Sequence, residues 1–216
     1  MEDNYKMVAK TLFGFEDLLE RELVQLGAMH VKKGVRNVSF EGDKGFMYKA
    51  NLGLRTAIKI LKPIHTFRVK NEQDLYDQVY KMPWNTYLKA SGTLAINATV
   101  HSEAFTHSHY VSLKTKDAIV DKFRETDGQR PNIDLRFPDL KINVHIDRQN
   151  CTISLDSSGE SLHKRGYKTA TNIAPINEVL AAGLVMLSGW DGQSDFMDPM
   201  CGSGTVLAEA AMIACN

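Results

Sequence analysis

Cysteine is scarce in this sequence, and its few cysteines show no pairing pattern. Cys151, Cys201 and Cys215 are odd in number, and none of them belongs to a C-x-x-C pair. A disulfide framework or a zinc knuckle is therefore not expected, and we predict no metal site. This cysteine usage is typical of a reducing cytoplasm.

The sequence also lacks an excess of either charge and lacks long apolar runs. Lys+Arg and Asp+Glu both number 26, which argues against a strongly basic tail but leaves a local basic patch open. No charged-then-apolar leader follows Met1, and no apolar run reaches membrane-spanning length. We therefore expect a cytoplasmic protein with no membrane partner.

The pattern of residues 1–67 predicts strand, helix, strand, strand, helix, strand. Apolar periodicity predicts a helix over residues 15–26, which Gly27 would end as a C-cap. Asp43 is placed to cap the second helix, and Lys33-Gly34 to turn the hairpin before it. This order fits a small α+β, ferredoxin-like unit.

Two further segments follow. Residues 68–168 predict a second α+β unit with a long amphipathic helix over 112–126, whose inward side includes Leu113. The pattern of residues 169–216 predicts a helix over 175–190, with Pro175 in its first turn, and a short strand over 194–197. A polar linker over 157–171 joins them.

A glycine-rich stretch, Asp-Pro-Met-Cys-Gly-Ser-Gly-Thr, occupies residues 198–205. Gly202 and Gly204 allow the backbone to approach a ligand closely, and Thr205 is placed to cap the helix that follows. The stretch has no Gly-Lys-Ser/Thr, and Leu207 stands where a dinucleotide loop has its third glycine. It thus favours a nucleoside cofactor without a long phosphate tail; the alternative is a tight turn with no ligand.

These eight residues resemble motif I of S-adenosylmethionine-dependent amino-methyltransferases. The rest of the chain resembles the THUMP-domain RNA guanine-N2 methyltransferases, which include enzymes of 23S ribosomal RNA. The segments that carry this wider resemblance are Gly14-Phe15-Glu16, Leu52-Gly53-Leu54-Arg55-Thr56-Ala57, Lys116-Asp117-Ala118-Ile119-Val120-Asp121, Val144-His145-Ile146-Asp147, Leu162-His163-Lys164-Arg165-Gly166-Tyr167 and Ala174-Pro175-Ile176-Asn177-Glu178.

The resemblance implies three parts and a division of labour between them. It implies a ferredoxin-like unit at residues 1–67, a THUMP domain at 68–168 and the beginning of a Rossmann-like (α/β) methyltransferase domain at 169–216. The first two would bind structured RNA, most simply ribosomal RNA, and the third would transfer methyl from S-adenosyl-L-methionine to N2 of guanine. The family's Asn/Asp-Pro-Pro-Tyr tetrapeptide is not found, so we expect an N-terminal fragment that contains no catalytic residue and is inactive by itself.

The resemblance also implies a role for individual residues at the cofactor. Asp198 would orient the amino group, residues 201–205 would surround the methionine part, and a helix with Pro175 and Glu178 would cover the cofactor. Glu178 could equally be a solvated surface charge. The expected cofactor-binding residues are Asp198, Pro199, Cys201, Gly202, Ser203, Gly204, Thr205, Pro175 and Glu178.

Candidate RNA contacts are cations of the THUMP-like unit and of the linker, since phosphates require them. They are Lys114, Lys116, Lys122, Arg124, Arg130, Arg136, Arg148, Lys164, Arg165 and Lys168. Interleaved acidic residues leave the alternative of an ordinary solvated surface. His101, His107 and His109 have no cysteine partners, which favours surface or RNA-facing histidines over metal ligands.

Two other functions stay open, and one expectation concerns packing. The chain could be an RNA-binding or adaptor module without methyltransferase activity, or an enzyme that acts on transfer RNA.

The two apolar helices predicted after residue 174 have no sheet of their own to cover. We therefore expect the last forty or so residues to be poorly ordered, or packed on another copy or on a remaining piece of the same enzyme.

Overall fold

The computed structural model describes residues 4–168 and 175–215, and part of the predicted linker lies outside these residues. The chain divides into two compact units. One unit combines Met1–Ile60 with Glu160–Asn216, and the other is Leu61–Gly159.

The first unit begins with three antiparallel strands in the order β2-β3-β1 and two helices. Their bounds are β1 Tyr5–Lys10, α1 Glu16–Leu26, β2 Met29–Gly34, β3 Asn37–Gly42 and α2 Lys44–Gly53, and strand β4, Lys59–Arg68, starts at the end of this unit. Alternate residues of the strands and one face of α1 are buried together, among them Met7, Leu19, Leu23 and Phe40.

The predicted helix ends of this unit are confirmed, whereas the hairpin turn differs. Gly27 is left-handed at the C-cap of α1, and Asp43 Oδ1 accepts a hydrogen bond from the Phe46 N–H at 2.7 Å. The turn predicted at Lys33-Gly34 lies at residues 35–36 instead, with Arg36 at φ 55°. Glu16 stabilises this conformation, because its carboxylate accepts the Arg36 N–H at 2.8 Å.

The second unit carries the rest of β4 and a sheet in the order β4-β8-β7-β5-β6. The other elements are α3 Glu72–Tyr80, a 3₁₀ turn Trp84–Thr86, β5 Thr93–His101, α4 Ser108–Asp127, β6 Asn132–Ile133, β7 Leu140–Asp147 and β8 Asn150–Asp156. β5 and β7 are parallel and the β7–β8 hairpin is antiparallel. Helix α4 begins one turn earlier than predicted, and Leu113 is 41% exposed instead of inward.

The C-terminal segment folds as two helices, α5 Glu178–Leu187 and α6 Thr205–Ala214. Pro175 is not in the first turn as predicted, because Asn177 caps α5 by accepting the Leu180 N–H at 3.2 Å. The strand predicted over 194–197 is absent, since no described strand pairs with that segment. Val179 of α5 packs against Phe15 and Leu18, whereas Leu184 and Leu187 of the same helix are exposed. The expectation that the tail packs on another copy or on a further piece of the enzyme stays a prediction.

Neither a membrane-spanning helix nor a group of three potential metal ligands is found among residues 4–168 and 175–215.

Candidate functional site

The glycine loop, residues 198–205, forms a compact turn that ends in α6. Asp198 Oδ1 accepts a hydrogen bond from the Met200 N–H at 2.9 Å. The Gly204 N–H donates to the Cys201 carbonyl at 2.7 Å. The loop is thus closed by one side-chain and one backbone hydrogen bond of its own, and Pro199, Cys201, Gly202 and Ser203 are exposed.

Two glycines make this turn possible, and the helix cap differs from the prediction. Gly202 and Gly204 have φ of 53° and 75°, the left-handed region that other residues avoid. Gly204 is the N-cap of α6, while Thr205 is its buried first residue. The prediction that Thr205 caps the helix is therefore wrong. The first amides of α6 have no partner within the helix and can meet an acceptor at the loop.

Glu178 and Pro175 occupy different environments although they are three residues apart. Pro175 is exposed, whereas the Glu178 carboxylate is buried and lies 3.0 Å from Lys168 Nζ. The same ammonium donates to the Ile176 carbonyl at 2.8 Å. Glu178 is thus not the solvated surface charge that was the alternative, and Lys168 is engaged within the chain.

Glu209, one turn beyond the loop on α6, is fully buried. Its Oε1 accepts a hydrogen bond from Tyr167 Oη at 2.8 Å and lies 3.2 Å from Arg165 Nε. Burial raises the pKa of Glu209, although Arg165 and Tyr167 oppose that shift. Burial and the hydrogen bond to Glu209 in turn raise the pKa of Tyr167.

A second buried carboxylate, Glu22 of α1, organises the turn that follows α2. Its oxygens accept the Arg55 N–H at 2.7 Å and the Thr56 N–H at 3.0 Å, together with the Thr56 hydroxyl. The Arg55 carbonyl accepts from Arg165 Nη2 at 2.6 Å, and the Arg55 guanidinium donates to the Met212 carbonyl on α6. This turn is therefore linked to the segment around Arg165 and to α6.

Four of the candidate RNA cations lie on α4 and are engaged on that surface. Lys116, Lys122 and Arg124 form ion pairs with neighbouring acidic residues of the same helix, at 2.8 to 3.0 Å. Lys114 Nζ lies 5.1 Å from the centre of the Tyr76 ring, and Lys122 Nζ lies 5.1 Å from that of Tyr80.

Three other candidates of the second unit are exposed on loops. Arg130 and Arg136 flank β6, and Arg148 stands in the β7–β8 turn with φ 54°. None of the three has an ion pair within 4 Å in the part of the chain that the structure describes. Lys164 is also exposed, 3.6 Å from Glu160. The geometry therefore separates the candidate cations into accessible ones and ones that are engaged within the chain.

The buried network as a whole was not apparent from the sequence. Glu22, Arg55, Thr56 and Tyr167 were not singled out as functional. Glu22 and its partners are 33 and 34 residues apart, and Tyr167 and Glu209 are 42 apart. The only sequence signal is a charged residue within an apolar helix face, as at Glu209 between two alanines.

Three family models match the chain in succession. They are the RlmL ferredoxin-like domain at residues 6–61, the THUMP domain at 69–156 and the RMKL-like methyltransferase domain at 165–216. These matches confirm the predicted ferredoxin-like, THUMP and methyltransferase organisation of an α+β chain. The chain therefore carries an RlmL-type ferredoxin-like domain, a THUMP domain and a segment of an RMKL-like methyltransferase domain.

Similar proteins agree with this assignment. A ribosomal RNA large subunit methyltransferase K/L of Syntrophotalea carbinolica is 41% identical over 100% of this chain and 31% of its own length. The solved structure of SMU.472 complexed with SAH has a TM-score of 0.82 and 30% identity, over 100% of this chain and 57% of that one. A predicted N6-adenine-specific DNA methylase from Listeria monocytogenes has a TM-score of 0.84 and 30% identity, over 98% and 56%.

The chain thus spans about a third of the length of that curated relative and little more than half of the two solved chains.

Proposed function

We propose that the protein carrying this chain is an S-adenosyl-L-methionine-dependent RNA methyltransferase of the large-subunit ribosomal RNA type. We further propose that its target is the exocyclic N2 of a guanine. The observation that carries the proposal is the glycine loop, in which two left-handed glycines lead into the free amides of α6.

The residues present fit this cofactor. A Cβ placed on Gly204 would meet nothing within 4 Å, and one on Gly202 only a backbone oxygen at 3.9 Å, so the loop has open space before it. Residues 198–205 would hold the cofactor, with Asp198 at its amino group, and Pro175 and Glu178 would lie on its covering side. When bound, the cofactor supplies an activated methyl group for in-line displacement, and the protein's contribution is to align the two substrates.

The Listeria relative is named as a DNA methylase. The THUMP domain of this chain favours RNA over DNA as the substrate. The exposed cations Arg130, Arg136, Arg148 and Lys164 are the proposed phosphate contacts. A transfer RNA substrate and an adaptor without activity are the two alternatives. Methyl-donor labelling of total RNA from cells with and without the gene tests all three. We expect label to be lost from large-subunit ribosomal RNA; loss from transfer RNA, or no loss, contradicts the proposal.

We also expect the 216-residue chain alone to be inactive. Its sequence has no Asn/Asp-Pro-Pro-Tyr tetrapeptide, the element that in the family grips the target amine. Methyl transfer by the purified chain to ribosomal RNA would show this expectation to be wrong.

A further inference from the structure

Two cations in the segment after the second unit are directed into the protein. The side chains of Arg165 and Lys168 are only 15% and 14% exposed, whereas that of the nearby Lys164 is 59% exposed. A phosphate-binding cation has to be accessible, so these two residues serve another purpose. We call Arg165, Tyr167 and Lys168 together the 165–168 clasp.

The clasp holds the beginning of both C-terminal helices. On α6 it binds Glu209 through the Tyr167 hydroxyl at 2.8 Å and the Arg165 guanidinium at 3.2 Å. On α5 it binds Glu178 through Lys168 Nζ at 3.0 Å. Glu209 follows Thr205 by four residues, about one helical turn. A displacement of Glu209 therefore moves the end of the glycine loop as well.

The chemistry of this cluster favours positioning over stability as its role. Buried ion pairs are frequently no more stabilising than apolar residues of the same volume, because desolvation offsets their attraction. Glu209 Oε2 and Arg165 Nε are both buried and have no hydrogen-bond partner among the described residues, which is costly. Such a cluster does fix orientation, because Glu209 Oε1 must lie within reach of both the Tyr167 hydroxyl and the Arg165 guanidinium.

We propose that the 165–168 clasp is a positioning element that fixes the start of α6, and with it the glycine loop, in the arrangement that receives the cofactor. Arg165 anchors the clasp to the ferredoxin-like part through the Arg55 carbonyl at 2.6 Å. That the loop receives the cofactor rests on the proposed function, whereas the claim that the clasp fixes the loop does not.

Hydrogen–deuterium exchange of the whole chain tests the fixing of the loop. Glu209→Gln retains the side-chain shape but loses the charge that attracts Arg165. We expect amide exchange in α6 to become about tenfold faster, because the neutral amide accepts the Tyr167 hydroxyl more weakly and no longer attracts Arg165, with α1 unchanged. The matched control is Glu160→Gln, an exposed glutamate paired with Lys164, and it should change neither helix.

Two results would overturn the proposal. They are unchanged exchange in α6, and an equal acceleration in α1 and α6, which indicates a general loss of stability. If Glu209→Gln does not fold, Tyr167→Phe removes only one hydroxyl, and the same local acceleration is expected there.

Titration with S-adenosylhomocysteine separates this proposal from the proposed function. If α6 loosens and the affinity falls about tenfold, both stand. If α6 loosens but neither wild type nor variant binds, the cofactor assignment fails while the clasp still fixes the loop. If the affinity is unchanged although α6 loosens, the positioning role is wrong.

Discussion

At the scale of single residues, the buried carboxylates are the least expected feature of this chain. Glu22 lies inside the ferredoxin-like unit and accepts three hydrogen bonds from Arg55 and Thr56. Burial nevertheless raises the pKa of Glu22, because desolvation of the carboxylate outweighs those bonds. Local sequence patterns could predict the helix caps at Gly27 and Asp43, whose hydrogen-bond partners are close in the sequence. They could not predict the burial of a carboxylate whose partners are more than thirty residues away.

The raised pKa of Glu22 predicts a particular dependence of stability on pH. The folded protein takes up a proton at Glu22 at a higher pH than the unfolded chain does. The contribution of Glu22 to stability is therefore full below its ordinary value of 4.5 and is lost as the pH rises through the raised value. Glu22→Gln should remove this part of the pH dependence.

Glu22→Gln should also destabilise the fold by about 1–3 kcal/mol at neutral pH, since an amide cannot accept all three bonds. Urea unfolding of wild type and variant at neutral and mildly acidic pH measures both effects. Glu20→Gln on the same helix is the control. A pH dependence identical in wild type and Glu22→Gln would contradict this account.

At the scale of elements, helix starts show how far a sequence pattern can be trusted. Pro175 suits a first helical turn, yet α5 begins three residues later behind Asn177. Pro175 and Asn177 both suit the beginning of a helix. Which of them precedes the first turn depends on tertiary contacts, here the burial of Glu178 beside Lys168. The strand expected over 194–197 fails for a related reason, since a strand needs a neighbour that local sequence cannot supply.

The packing of α5 on α1 depends on a residue without a side chain. A Cβ on Gly183 would lie 2.1 Å from Phe15 Cε2. Gly183→Ala should therefore destabilise the first unit by about 1–3 kcal/mol through overpacking. The double variant Gly183→Ala with Phe15→Leu should recover most of that loss, as measured by thermal unfolding. Strict additivity of the two single changes would contradict direct packing.

At the scale of the whole molecule, overall composition gives little information about the binding surface, and the distribution of charge gives more. Equal numbers of acidic and basic groups conceal accessible arginines on the THUMP domain and buried cations in the clasp. The order of three domains could be predicted because each has its own sequence motifs. Sequence patterns could not predict which cations are accessible, because accessibility depends on residues that only folding brings close together.

Arg136→Ala should weaken RNA binding and lower the slope of log affinity against log salt by about 1. The exposed Arg136 has no ion pair within the described residues, whereas Lys122 is paired with Glu125 at 2.8 Å. Lys122→Ala should therefore have the smaller effect. Fluorescence anisotropy with a labelled ribosomal RNA fragment, from about 50 to about 200 mM salt, measures both slopes. Equal slopes for Arg136→Ala and wild type would exclude Arg136 as a phosphate contact.

Calorimetric titration of the protein with S-adenosylhomocysteine tests the central claim, that residues 198–205 hold the cofactor. Gly204→Ala strains the loop, and Gly189→Ala places the same strain, at φ 76° with nothing within 4 Å, just after α5. We predict saturable binding by wild type and by Gly189→Ala, and an affinity about tenfold lower for Gly204→Ala. No binding by wild type, or equal losses in the two variants, would contradict the claim.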